Sequence, residues 1–206
     1  MFSFLRKTPA KPPEPTFWAW FEANEAMLFD FERDRDPIFD RLAAALKKIS
    51  TDLAFEFGPK EPDGRRELVI SAGGMKSAFP AVEKLIAAAP PLARWRFTAF
   101  RPRRAQLMTL EFGGLQVEPK DVDCCFMTGG PLLGIALFFH GYTEARRNEF
   151  GQVGFLMLDE ALGEYDVAMK VGAIRFVAFE EAPNAVRFPL TELTARFDAR
   201  HAERLQ

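Results

Sequence analysis

Three groups of residues have types and spacings that could do chemistry. The first is Arg94-Trp-Arg-Phe-Thr-Ala-Phe-Arg-Pro-Arg-Arg104, which holds arginines at 94, 96, 101, 103 and 104 and no acid. Guanidinium forks bind carboxylates and phosphates in bidentate fashion and stack on aromatic faces. Arg94, Arg96, Arg101, Arg103 and Arg104 therefore form a candidate binding surface for an acidic protein partner or a small anionic ligand. Aromatics interleaved with arginine also suit stacked bases. The chain nevertheless carries 29 Asp+Glu against 27 Lys+Arg, so it exerts no global pull on a polyanion and gives no strong nucleic-acid signal. The competing reading pairs these arginines with carboxylates on neighbouring strands, such as Glu56 or Glu67, and makes Trp95 and Phe97 core.

The second group lies on and beside a helix expected from about Glu144 to Leu162. Glu149, Asp159 and Glu160 fall on roughly one side of it, and His140 ends a strand shortly before it. Carboxylates whose pKa values are pushed apart can divide acid and base work or hold a divalent cation, and a histidine adds a proton carrier near neutrality. That set describes a hydrolase, with or without metal assistance, with His140, Glu149, Asp159 and Glu160 as catalytic residues. Against it, Glu149 stands nearly three turns from the other two acids, and no further ligand spacing supports them. An exposed polar edge on an otherwise buried helix would give the same pattern.

The third group is Ser71-Ala-Gly-Gly-Met-Lys-Ser77, which has the composition of a phosphate loop without its spacing. Met75 separates Gly74 from Lys76, and no glycine stands five positions before Gly74. A tight turn with Ser77 capping a helix fits as well. Cys124 and Cys125 are adjacent, a spacing that rarely closes an unstrained disulfide, and on a strand they point to opposite faces. They read as buried thiols in a reducing compartment, a vicinal redox or soft-metal pair being the alternative. His201, four residues after Phe197, reads as a packing histidine. No cofactor and no metal site is expected.

The elements that must position these residues follow from periodicity. Residues 1–15 read as a Pro-rich flexible leader, with Thr16 as N-cap of a helix bearing Phe17, Trp18, Trp20 and Phe21. Its aromatic face is core, or else joins a homodimer through residues 17–31. Asp36-Pro37 reads as the N-cap and N1 of a second helix with Ile38, Leu42, Ala45 and Leu46 on its stripe. Alternation of Leu53, Phe55 and Phe57, the Pro62-Asp63-Gly64 turn, and Glu67–Ala72 predict a hairpin. A helix through Phe79, Val82 and Leu85 and a strand through Trp95 and Phe97 follow. Gly113-Gly114 marks another hairpin, and 122–128 and 132–140 read as strands, the second apolar on both faces and therefore central. After the long helix, Gly163 is a C-cap, Ala173–Phe179 a strand, and Thr191 begins a closing helix with Leu193, Phe197 and Leu205.

The spacing thus predicts an α+β fold, a mostly antiparallel sheet with helices on it, in one domain over 16–206. Residues 53–100 and 122–179 show the same order of strand, strand, helix, strand. Two ββαβ units would explain it, as would two unrelated halves. With 22 Phe against 2 His and 2 Cys, the chain invests in packing rather than in reactive side chains. The apolar start before Pro9 is too short for a signal peptide, and the run Phe126–Phe139 is too short and interrupted for a bilayer span. Together these features describe a soluble cytoplasmic protein that binds rather than catalyses.

Overall fold

The computed structural model describes residues 12–181 and 186–204. The first eleven residues of the expected leader, and Leu205 of the expected closing helix, lie outside the described residues. The fold is α+β with mixed sheets, and the chain divides into two compact units, Met1–Ala99 and Phe100–Gln206. No described helix is long and apolar enough to cross a membrane.

In the first unit, α1 (Pro13–Ala23) begins three residues before Thr16. Proline is tolerated in a first turn because its missing N–H would have no helical partner there. Pro13, Glu14 and Pro15 are therefore helical rather than part of a leader, and the Thr16 hydroxyl donates to the Pro12 carbonyl (3.5 Å) instead of capping. After α2 (Glu25–Phe29), α3 (Arg35–Leu46) takes Asp36 and Pro37 inside its first turn, with Asp34 at the N-cap position. The strands β1 (Ala54–Lys60) and β2 (Arg66–Ser71) form the expected antiparallel pair. The helix α4 (Phe79–Ala87) then returns the chain so that β3 (Trp95–Ala99) lies parallel to β2, in the order β1-β2-β3.

The aromatic face of α1 belongs to this unit's own core. Trp18 lies 4.5 Å from Phe97 and Phe21 5.0 Å from Trp95, ring to ring, and the Trp18 indole N–H donates to the Leu85 carbonyl at 2.7 Å. Phe17, Trp18 and Phe21 are buried, so the surface expected for a homodimer through 17–31 is largely taken up by packing on β3. The 71–77 turn is also simpler than expected. The Gly73 N–H donates to the Ser71 hydroxyl (2.9 Å), Gly73 and Gly74 adopt left-handed φ of 57° and 76°, and Ser77 makes no capping hydrogen bond.

In the second unit, β4 (Leu110–Phe112) and β5 (Leu115–Val117) flank Gly113-Gly114 as expected. The main sheet runs β8-β7-β6-β9. Its strand β6 (Val122–Met127) is antiparallel to β7 (Leu133–Phe139), and β8 (Val171–Ala178) is parallel to β7. The helices α5 (Arg147–Leu162) and α6 (Glu164–Lys170) make the crossover, and α7 (Leu193–Arg204) closes the unit. Every residue of β7 is buried, as its two-faced apolar pattern required. Val122, Cys124, Ile135, Leu137 and Phe139 pack on Phe150, Val153, Met157 and Leu158 of α5 and on Leu193 and Phe197 of α7. Two short elements were not foreseen: α6, which restarts one residue after the helix-ending Gly163 (φ 82°), and β9 (Phe188–Pro189), which pairs with β6. In the first unit α4 separates the antiparallel pair β1–β2 from β3, and in the second α5 and α6 separate the antiparallel pair β6–β7 from β8, the two sets lying in separate sheets.

Candidate functional site

The arginine-rich segment is divided between the units. In the first, Arg94 reaches Glu25 (3.1 Å) while its guanidinium covers Phe29 at 4.2 Å. Arg96 contacts Glu67 at 3.1 Å and Glu61 at 2.6 Å. Glu67 stands directly across the β2–β3 ladder from it, and its hydrogen bond, with that of Glu61, holds the guanidinium pKa above its ordinary value. Of the two carboxylates expected from the sequence, Glu67 is the partner found at Arg96.

In the second unit the remaining arginines meet the acids of α5. Phe100 turns the chain with a left-handed φ of 64°, uncommon for a bulky residue, and residues 101–108 then form a strap over the end of α5. Arg101 bonds Asp159 (3.3 Å), and Arg104 bonds Glu160 (3.2 Å). Arg103 binds Asp166 (2.9 Å) and Asp198 (2.8 Å), and its Nε donates to the Leu162 carbonyl at 2.7 Å. Backbone bonds lock the strap in place: Arg104 N–H to the Glu160 carbonyl (2.7 Å), Glu164 N–H to the Arg101 carbonyl (2.9 Å), and Met108 N–H to the Glu160 carboxylate (2.9 Å). Asp159, Glu160 and Glu164 are 6%, 8% and 0% exposed. Buried carboxylates persist only when paired and hydrogen-bonded, and cations at a helix C-terminus also complement its dipole. Arg101, Arg103 and Arg104 of the sequence's candidate cation site and Asp159 and Glu160 of its candidate acid site thus belong to one self-neutralising network within the second unit.

The other proposed catalytic residues lie elsewhere. The Glu149 side chain sits against Gly113 in the β4–β5 turn, where an added Cβ would come within 3.1 Å of it. His140 is exposed, stacks on Phe179 at 3.8 Å, and borders a cavity of about 210 Å³ with Glu118 and Asp121. Glu149, Asp159 and Glu160 do not line that cavity. Among the described residues no group of three His, Cys, Asp or Glu could hold a metal ion. His201 lies parallel to Phe197 at 5.9 Å. Cys124 is buried and Cys125 half-buried, on opposite faces of β6, and burial pushes both thiols above the ordinary range.

A feature absent from the sequence reading is a cleft of about 880 Å³ beside β8. Cys125, Met127, Ala136 and Phe138 contribute from the sheet, and Tyr142, Arg147, Gln152 and Phe155 from the loop before α5 and from α5 itself. Arg175, on β8, is exposed, and its side chain makes no hydrogen bond or ion pair among the described residues. It stands opposite Ala136 in the parallel ladder. Two glycines of α5 make room at this edge. Gly151 lies where a Cβ would meet Phe176 at an ordinary 3.8 Å, whereas a Cβ on Gly154 would overlap that ring. Phe155, 47% exposed, meets Phe176 edge-on at 5.2 Å. Tyr142 donates to Glu144 (3.2 Å) at the cleft's rim, and burial together with that carboxylate raises its phenol pKa. One signal could have found Arg175: it is the sole charge in Val171-Gly-Ala-Ile-Arg-Phe-Val-Ala178.

No protein-family model, curated protein or solved structure matches the chain.

Proposed function

We propose that this is a binding protein whose working surface is the cleft beside β8, where Arg175 receives the carboxylate of a ligand or of an acidic protein segment. A single observation carries the reading. Arg96-Phe97 and Arg175-Phe176 occupy β3 and β8, each parallel to the strand before it, and Arg96 has two carboxylate partners where Arg175 stands opposite Ala136 and lines the cleft. The anion recognition expected of the sequence is kept, and its location moves away from Arg94, Arg96, Arg101, Arg103 and Arg104, whose charge meets this chain's own acids. The cleft sets apolar residues of the sheet beside polar and charged ones, among them Glu144, which Tyr142 and Arg147 already engage, and Glu181. A cytoplasmic setting belongs to the same reading and is supported by two cysteines that form no disulfide.

The test is an NMR titration of the full chain with phenylacetate and, as a control of opposite charge, phenethylamine. Phenylacetate is expected to shift the amides of residues 174–177 with an affinity on the order of 1 mM, as suits about ten heavy atoms. Phenethylamine should not, and Arg175→Glu should abolish the response to the acid. Equal responses to both compounds, or an unchanged response in Arg175→Glu, would sink the reading.

A further inference from the structure

We infer that the occupant of this cleft is an extended peptide that adds a strand to the outer edge of β8, placing an Asp or Glu opposite Arg175 between two apolar residues. The inference rests on the cleft reading above and goes beyond it in naming the partner's backbone and side-chain pattern.

The edge is the starting point. β8 ends its sheet, so the backbone groups along its outer side have no strand beside them among the described residues. Its register is irregular only between Leu133 and Ile135 of its neighbour, after which Ile174 to Ala178 pair in unbroken order with Ile135 to Phe139. Natural sheets blunt such edges with bulges, proline and charge. The edge strand β1 of the other unit does so: its register breaks between Phe57 and Lys60, around Gly58-Pro59. The straight part of β8 has only Arg175.

Alternation then fixes the pattern of the added strand. Ile174 and Phe176 face the α5 side and pack against the core, so Arg175 and Val177 share the opposite face with Ala136 and Phe138. A peptide residue opposite Arg175 would point to that same face, where a carboxylate would do for Arg175 what Glu67 does for Arg96. Its two neighbours would point to the other face, over Phe176 and the exposed ring of Phe155. Backbone pairing gives such complexes their affinity and alternate side chains their specificity.

A second copy of β8 does not satisfy these requirements. Val171–Ala178 contains no acid, so every register of self-pairing leaves Arg175 opposite an apolar residue or another arginine, and like charges across a ladder are unfavourable. The partner is therefore a different, acidic segment.

The experiment selects a random heptapeptide phage library on the 206-residue protein and then synthesises the enriched peptides, each with and without N-methyl groups on alternate backbone nitrogens. Binding is read from amide shifts at residues 173–178 and from slower maleimide labelling of Cys125. An acid flanked by apolar residues is the expected consensus, N-methylation on the pairing edge should weaken binding at least tenfold, and selection on Arg175→Glu should replace the acid by Lys or Arg. If N-methylated peptides bind as well as their parents, or no acid-centred consensus emerges, strand addition is overturned, while a persisting phenylacetate response would leave the cleft reading standing. If neither peptides nor phenylacetate perturb β8, both fall together.

Discussion

The strands β3 and β8, each parallel to the strand before it, invite direct comparison. β3 and β8 each arrive after a helix, each pair in parallel with the preceding strand, and each carry an Arg-Phe pair at mid-strand. In β3 the arginine lies between two acids of its own unit; in β8 it faces an alanine and a cleft. The same residue on the same kind of strand closes one surface and leaves the other open. Whether a charge on a strand is answered within the chain therefore depends on the residue placed across the ladder.

The largest test of this contrast concerns the arginines that are answered and buried. Arg101→Met leaves Asp159, 8% exposed at its side chain, without its guanidinium. Removing one partner of a buried pair costs about 3–5 kcal/mol, and urea denaturation should show that loss in the second unit. A cost near zero would mean that the strap does not hold the end of α5. The glycines of α5 offer the next test, because they distinguish a packed wall from an open one. Gly154→Ala drives a Cβ into Phe176 and should destabilise by about 1–3 kcal/mol. Gly151→Ala has ordinary clearance on the cleft side and should stabilise by roughly 0.5–1 kcal/mol through helix propensity. Equal effects at the two positions would show that the cleft does not extend to Gly151.

The units should also differ in their response to pH. In the first, hydrogen bonds from Lys60 to Asp30, from Arg66 to Glu32, and from the Arg65 backbone N–H to Asp63 hold these carboxyls below their usual range. Depressed carboxyls contribute stability that is present above their unfolded pKa values and is lost as pH falls through the folded ones, here below about pH 4. In the second, burial raises the thiols of Cys124 and Cys125. A raised thiol contributes stability that is present below its unfolded pKa and is lost as pH rises beyond it, from about 8.5 upward. All three tryptophans (18, 20 and 95) lie in the first unit and both cysteines in the second. Trp fluorescence should therefore report the acid limb and thiol exposure the alkaline one, and Cys124→Ala should flatten the latter.

The smallest expected effect is the most direct on the comparison itself. Arg96→Ala removes two partly exposed ion pairs and should cost no more than about 1 kcal/mol. Arg175→Ala removes none and should leave the urea midpoint unchanged while weakening carboxylate binding. A loss of stability at Arg175 as large as that at Arg96 would remove the distinction between them.

Much of the fold was legible because its signals are local. Alternation at 53–57 and 95–97, glycine pairs at hairpin turns, Gly163 after a buried helix and the two-faced apolar run of β7 all act within a few residues. The start of α1 was misplaced because proline both breaks and begins helices, and position alone decides which. α6 and β9 escaped because seven-residue and two-residue elements are held by their neighbours rather than by their own periodicity. The candidate site was less legible. Glu67 was foreseen as a carboxylate partner, since residues on adjacent strands invite pairing. Asp166 and Asp198, which hold Arg103 from 63 and 95 positions away, could not be foreseen, and neither could the joining of the arginine group to the acid group.

By itself, then, the sequence determined the α+β class, the order of most strands and helices, and which faces are apolar, because hydrophobic period and turn chemistry are properties of neighbouring residues. Only the tertiary structure decided which charges meet. Which acids Arg101, Arg103 and Arg104 meet, and which residue stands across the ladder from Arg175, depends on strand register and on contacts dozens of residues apart, where proximity follows from packing and not from spacing along the chain.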